Sequence, residues 1–315
     1  MGMKITIIGT GAVGSTIDYS LTIKNIASEI VLIDINKEKA EGEALDISQG
    51  TPFCGPINVH AGNYEDAVCS DIVVYACGIA RKAGQTRLDL AQTNVDVAKK
   101  VIPEITKNAP DALYIIVANP VDILTYQFYK YSNLKPNQII GSGTILDTAR
   151  LRTTIADYYE ISENNVHAYI FGEHGDSSFV PWSLCNISGI PVDKYADCLT
   201  SDLRDLPPDA DDVITFVKKS GGKIIEQKGA TFYAVSIAVV HICELLCNDA
   251  DNIVTVSSML DGEYGINDVC LSTLAIIGKN GIKDRVEAPL TEEEIHLLKK
   301  SAETLKGVIS QLKFD

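Results

Sequence analysis

The strongest constraint on this chain lies within its first 34 residues. A short apolar run at 5–8 ends in Gly9-Thr10-Gly11-Ala12-Val13-Gly14, residues 15–24 can be helical, and a second apolar run at 30–33 ends in Asp34, 20 residues after Gly14. Strand, G-x-G-x-x-G, helix, strand and acid in this register form the dinucleotide-binding fingerprint. Gly9 permits the tight turn, Gly11 lets a pyrophosphate approach the backbone, and Gly14 lets the helix pack on the strand. The helix N-terminus offers partial positive charge to the phosphates. Asp34 can accept hydrogen bonds from the ribose hydroxyls and would repel a 2′-phosphate, so the pattern favours NAD over NADP.

The alternation continues. Apolar runs at 57–61, 72–76, 113–117 and 138–141 read as further strands, with helical patterns between them, notably at 88–106. Six such strands predict an α/β fold: a doubly wound parallel (Rossmann) sheet with helices on both faces. Ligands of such sheets bind at the carboxyl ends of the strands. Gly9, Asp34, Cys77-Gly78, Asn119 and Ser142 all fall there. We expect a Rossmann domain over 1–142 and a second α+β substrate domain over 143–315.

A net charge of -15 argues against nucleic acid and against an anionic membrane surface as partners. The 8 cysteines are scattered, without C-x-x-C or zinc-ligand spacing, and read as reduced core thiols. No apolar run approaches the ~18 residues of a membrane span, and the N-terminus enters a strand at once, so the expected location is cytoplasmic. The Met1-Gly2 start fits a myristoylation pattern, but the buried strand that follows argues against it.

Chemistry concentrates in three places. The loop at 78–87 carries Arg81, Lys82 and Arg87 between glycines and alanines, which fits a mobile lid for an anion. Asp147 and Arg150 lie three apart on an expected helix and share a face with apolar flanks. A buried arginine fork suits a carboxylate, and a buried aspartate suits a histidine that must stay oriented. The third place is Gly172-Glu173-His174-Gly175-Asp176, whose lone histidine says little until joined to the other two.

Together the stretches GTGAVG, LIDINKEKAEGEALDI, RKAGQTRLDL, ANPVD, GSGTILDTARLR, VHAYIFGEHGDSSFVPWS and KGATFYAVS resemble the L-lactate/L-malate dehydrogenase family nearly end to end. The resemblance implies an NAD-dependent reduction of a 2-oxo acid by a homodimer or homotetramer. It implies His174 as proton donor, Asp147 as its partner, Arg150 as grip on the substrate carboxylate and Arg87 as the lid arginine that polarises the carbonyl. Asn119, Ser142, Thr231 and Val235 would line substrate and nicotinamide, while Arg152 and His167 match positions that bind fructose 1,6-bisphosphate in allosteric members. Arg81 occupies the family's specificity position, where malate enzymes carry Arg and lactate enzymes usually Gln. A second substrate carboxylate pairs with a guanidinium and a methyl group does not. The reading favoured here is therefore malate dehydrogenase, with lactate dehydrogenase as the alternative, because GEHGDSSFVPWS and Thr231 are of the lactate type. A catalytically idle NAD-binding protein on this scaffold would be expected to lack one of His174, Asp147, Arg150 or Arg87, and all four are present.

Beyond residue 164 the alternation stops. Residues 193–212 are acidic and contain Pro207-Pro208, which suggests an exposed connection. A helix at 213–227 should break near Gly221-Gly222, and a long apolar helix should span 231–247. Runs at 253–260 and 268–277, with turns at Asp261-Gly262 and Asn280-Gly281, read as an antiparallel meander. A helix at 291–313 opens with a Thr291/Glu294 capping box.

Overall fold

The computed structural model describes residues 2–79, 87–200 and 209–314. In chain order the elements are β1 (Lys4–Ile8), α1 (Ala12–Lys24), β2 (Glu29–Ile33), α2 (Lys37–Gly50), β3 (Asn58–Ala61), β4 (Ile72–Tyr75), α3 (Arg87–Asn108), β5 (Leu113–Ile116), α4 (Val121–Tyr131) and β6 (Ile139–Gly141). The second half adds α5 (Ile145–Tyr159), β7 (Val166–His167), β8 (Asn186–Ile187), β9 (Ile190–Pro191), α6 (Val192–Tyr195), α7 (Ala210–Lys228), α8 (Tyr233–Cys247), β10 (Asn252–Asp261), β11 (Asn267–Gly278), β12 (Gly281–Val286) and α9 (Glu292–Ile309).

Among the described residues nine strands join one sheet in the order β12-β11-β10-β6-β5-β4-β1-β2-β3. The six strands from β3 to β6 are parallel, as the alternation predicted. Consecutive residues point to opposite faces, and both faces are covered. Ile5, Ile7, Ile30 and Leu32 pack on one side, while Ile8, Val31, Ile33 and Tyr75 pack on the other. A third core forms around Leu151, Ile155, Val166 and Val217 in the second half.

The antiparallel meander is present as predicted, and β10 pairs antiparallel with β6 through Ser257 and Gly141, so it extends the parallel sheet across the two halves. One expectation differs from what is found: α7 runs unbroken through Gly221-Gly222. Its first turn is capped by Asp209, and Val213 and Val217 anchor it in the third core, which outweighs the low helix propensity of two glycines. The capping box at Thr291 and Glu294 is present as predicted, with α9 ending at Ile309. Part of the acidic stretch, 201–208, lies outside the described residues.

One buried group on α1 sets a stability prediction. Asp18 is fully buried, its Oδ1 accepts a long 3.4 Å bond from Thr22, and its Oδ2 has no partner among the described residues. Burial pushes its carboxyl up to about 7 from an ordinary 3.8; the Thr22 hydroxyl opposes this and the nearby Glu43 carboxylate adds to it. The unfolded carboxyl loses its proton first as pH rises, so Asp18 withdraws stability between about pH 4 and about pH 7. Asp18→Asn should therefore stabilise the fold and raise the melting temperature at pH 8, by up to about 4 kcal/mol in unfolding free energy, and change little at pH 4. Thermal unfolding at the two pH values checks this.

Candidate active site

Two cavities open along the carboxyl edge of the sheet. The first, of about 660 Å³, is lined by Gly9, Asp34, Tyr64, Cys77, Gly78 and Ile79 among others. The second, of about 340 Å³, gathers Asn119, Ser142, Asp147, Arg150, His174, Thr231 and Val235. The glycine turn runs between them. Gly9 takes a φ of +95°, and a Cβ there would lie 2.6 Å from Cys77 backbone. A Cβ on Gly14 would lie 1.9 Å from the Gly9 carbonyl oxygen, so α1 can pack against β1 only without a side chain there. Gly11 caps α1 with no side-chain hydrogen bond and nothing within 4 Å of its Cβ position, which leaves the first amides open to a phosphate. Asp34 is partly engaged: Oδ2 accepts from Thr10 N at 2.7 Å and Thr10 Oγ1 at 3.1 Å, and Oδ1 from Asn36 N at 2.9 Å. Oδ2 is filled by these two bonds, and Oδ1, with one, keeps lone-pair capacity for a further donor. These features fit a dinucleotide.

The second cavity is built on α5. Asp147 lies in its first turn, where the helix amides favour negative charge. Its Oδ1 accepts from Arg150 Nη1 at 2.8 Å and its Oδ2 meets His174 Nδ1 at 2.6 Å. Burial works to raise the Asp147 carboxyl, but the His174 hydrogen bond, with the charges of His174 and Arg150, holds it below the ordinary carboxylate range. An ionised carboxylate can only accept, so Nδ1 of His174 must donate, and Nε2 is the ring nitrogen left free. Burial works to lower the His174 imidazolium; the bond to Asp147 and the charges of Asp147 and Asp122 outweigh it against Arg150, so its affinity for a proton is raised. The ring stays accessible, with 31% of its side chain exposed.

The walls come from distant elements. Asn119 follows β5; its carbonyl accepts from the buried Asn94 at 2.7 Å, and Asn94 also receives Ile79 N at 2.7 Å, which ties two strand-end loops together. Ser142 follows β6, and Thr231 and Val235 enter with α8. Lys218, Gly221 and Gly222 of α7 complete the lining. A Cβ on Gly221 would stand 4.0 Å from Arg150 Nη2, so the glycines that should have broken the helix instead leave space opposite the guanidinium. Sequence reasoning missed this wall, and it missed Asp122, because neither shows a local pattern.

Other predicted residues are placed elsewhere. Arg152 donates Nε to Ala168 O at 3.1 Å and lies over the Tyr169 ring, while His167 is exposed on β7; neither lines the cavity. Arg81 and Lys82 lie outside the described residues, and Arg87 opens α3 with its side chain undescribed.

A family model for the lactate/malate dehydrogenase NAD binding domain matches residues 3–141, and one for the lactate/malate dehydrogenase alpha/beta C-terminal domain matches 144–314. This chain belongs to the lactate/malate dehydrogenase family. It is an NAD-dependent oxidoreductase. Among its relatives, L-lactate dehydrogenase of Acetivibrio thermocellus is 46% identical over 309 residues, covering 98% of this chain and 97% of the relative. L-lactate dehydrogenase 1 of Clostridium acetobutylicum is 47% identical, covering 98% of each. The crystal structure of a minor L-lactate dehydrogenase from Enterococcus mundtii superposes with a TM-score of 0.94 at 35% identity, covering 99% of both chains. The preference for malate drawn from Arg81 is thereby overturned, since relatives 43–47% identical over nearly their whole length are named L-lactate dehydrogenase. One guanidinium weighs less than similarity over nearly the whole chain.

The glycine turn yields a test. Gly14→Ala must displace α1 from the turn to relieve a 1.9 Å approach. We expect NADH to bind about tenfold more weakly or worse, matching an overpacking cost of about 1–3 kcal/mol. Titration by nucleotide fluorescence measures it.

Proposed function

We propose that this chain is an L-lactate dehydrogenase, interconverting pyruvate and L-lactate. The observation that carries the proposal is the shared carboxylate of Asp147, bonded at once to His174 and Arg150 at the edge of one cavity. The names of the relatives support the substrate.

NADH, when bound, supplies the hydride. In this reading His174 gives its proton to the 2-oxo oxygen as general acid, and takes it back as general base in lactate oxidation. Asp147 keeps the ring in one tautomer and stabilises the imidazolium. Arg150 spends Nη1 on Asp147, and its other nitrogens hold the substrate carboxylate. Arg87 polarises the carbonyl from the lid. Asn119, Ser142, Thr231 and Val235 shape the space for pyruvate and nicotinamide, and Gly9, Gly11, Gly14 and Asp34 hold the remainder of the nucleotide. A chain whose cysteines are all free fits a cytoplasmic enzyme. No helix among the described residues is long and apolar enough to cross a membrane.

We infer also a homodimer or homotetramer. Supporting it, Tyr19 and Ile23 of α1, Leu45 of α2 and Ile237 of α8 stand exposed on elements that pack side by side. Light scattering should give a mass of two or four chains; a monomer would refute it.

Purified protein should oxidise NADH with pyruvate, at a kcat/KM above that for oxaloacetate. Absence of turnover with pyruvate, or a preference for oxaloacetate, would overturn the assignment. His174→Asn should lower kcat by about 10²–10⁴ while NADH still binds. Because the His174 proton affinity is raised, pyruvate reduction should hold at low pH and fall as pH rises through the histidine titration. Lactate oxidation should show the reverse trend.

A further inference from the structure

Behind His174 lies a second carboxylate that the mechanism above does not use. Asp122 stands in the first turn of α4, is 3% exposed and does not line the cavity. Its Oδ2 accepts the backbone N–H of His174 at 2.7 Å, and its Oδ1 accepts from Ser257 Oγ at 2.5 Å. Ser257 is the residue by which β10 meets β6 at Gly141, next to Ser142. One side chain thus ties α4, the added half of the sheet and the 172–176 loop to one another.

We propose that Asp122 is a positioning residue for the reaction, whose carboxylate fixes the His174 backbone and sets a second negative charge, beside that of Asp147, behind the imidazole. Geometry alone would not require a charge there. An asparagine could accept from His174 and donate to Ser257 equally well. A carboxylate in this place is costly: burial pushes it up to about 6, against the pull of the Ser257 and His174 hydrogen bonds and the His174 charge, while Glu173 adds to the rise. From β11 the Cys270 thiol is pushed well up, by its burial first and by the Asp122 charge second. The amides at the start of α4 offset some of this cost. What the charge supplies is its field at His174, where it adds to that of Asp147 and opposes Arg150.

The inference rests on His174 being the proton donor, and three variants separate the two ideas. Asp122→Asn keeps both hydrogen bonds and deletes the charge. It should fold and bind NADH as the parent does, while the fall of pyruvate reduction with rising pH moves to lower pH. Asp122→Ala frees the His174 backbone as well, and should lower kcat by about tenfold to a hundredfold with little change in KM for pyruvate. A pH profile of Asp122→Asn that overlays the parent profile overturns the proposal, even if the melting temperature changes, because that would leave Asp122 a structural role only. Should Asp122→Ala fail to fold, the Asp122→Asn profile decides. His174→Asn is the control. If it abolishes turnover and the Asp122→Asn profile does not move, only the Asp122 proposal falls; if it retains turnover, the role of His174 falls and the Asp122 proposal with it.

Discussion

The reaction cavity depends on a single buried carboxylate shared between two cations. Burial alone works to raise the Asp147 carboxyl, and it is held below its ordinary range because His174 and Arg150 both bond to it. From that one charge the rest follows. The carboxylate cannot donate, so the imidazole has one tautomer on that side, and its other nitrogen is free to exchange a proton with a ligand. The guanidinium is held at one corner, which orients its remaining donors without using them up. Removing Asp147 would take the shared counter-charge from both cations at once, so the three residues act as a unit.

That unit sits where two halves of the chain are forced together. Gly141 and Gly143 flank Ser142, and neither has room for a side chain. A Cβ on Gly141 would stand 2.4 Å from Thr125 Oγ1, and one on Gly143 would stand 2.2 Å from Ser272 Oγ and 2.7 Å from Ser257 N. The parallel strands end against the antiparallel strands of the second half, backbone close to backbone. The cavity therefore lies at the carboxyl ends of the parallel strands, where doubly wound sheets bind ligands, and its far wall is supplied by α7 and α8.

Much of this was legible in the sequence, for reasons that differ by residue. Gly9, Gly14 and Asp34 were readable because their constraint is local, a turn and a packing contact within 34 residues. Asp147 and Arg150 were readable because a helix puts positions three apart on one face. Asp122 was not, since an acid in a first helical turn ordinarily serves the helix dipole, and its partners His174 and Ser257 lie 52 and 135 residues away. Gly221 and Gly222 misled because propensity is local, whereas the packing of Val213 and Val217 that keeps α7 continuous is tertiary. Arg81 misled in another way. The argument from it was sound chemistry for a side chain facing the substrate, and that orientation was an assumption no residue pattern could supply.

Charge raises a last question, because a chain carrying a net -15 must admit two anions, a dinucleotide and a small carboxylate. At physiological ionic strength the field of exposed charges is screened over about 8 Å, so the surface acids act weakly inside a cavity. Groups within the cavity act strongly. There Arg150 and Lys218 line the walls, and the unblocked amides at the start of α1 face the glycine turn. Asp122, which would oppose an incoming anion if it stood beside it, is instead buried behind His174 and outside the lining. Asp147 lines the cavity with its charge already bonded to His174 and Arg150, and Asp122 acts on His174 from behind.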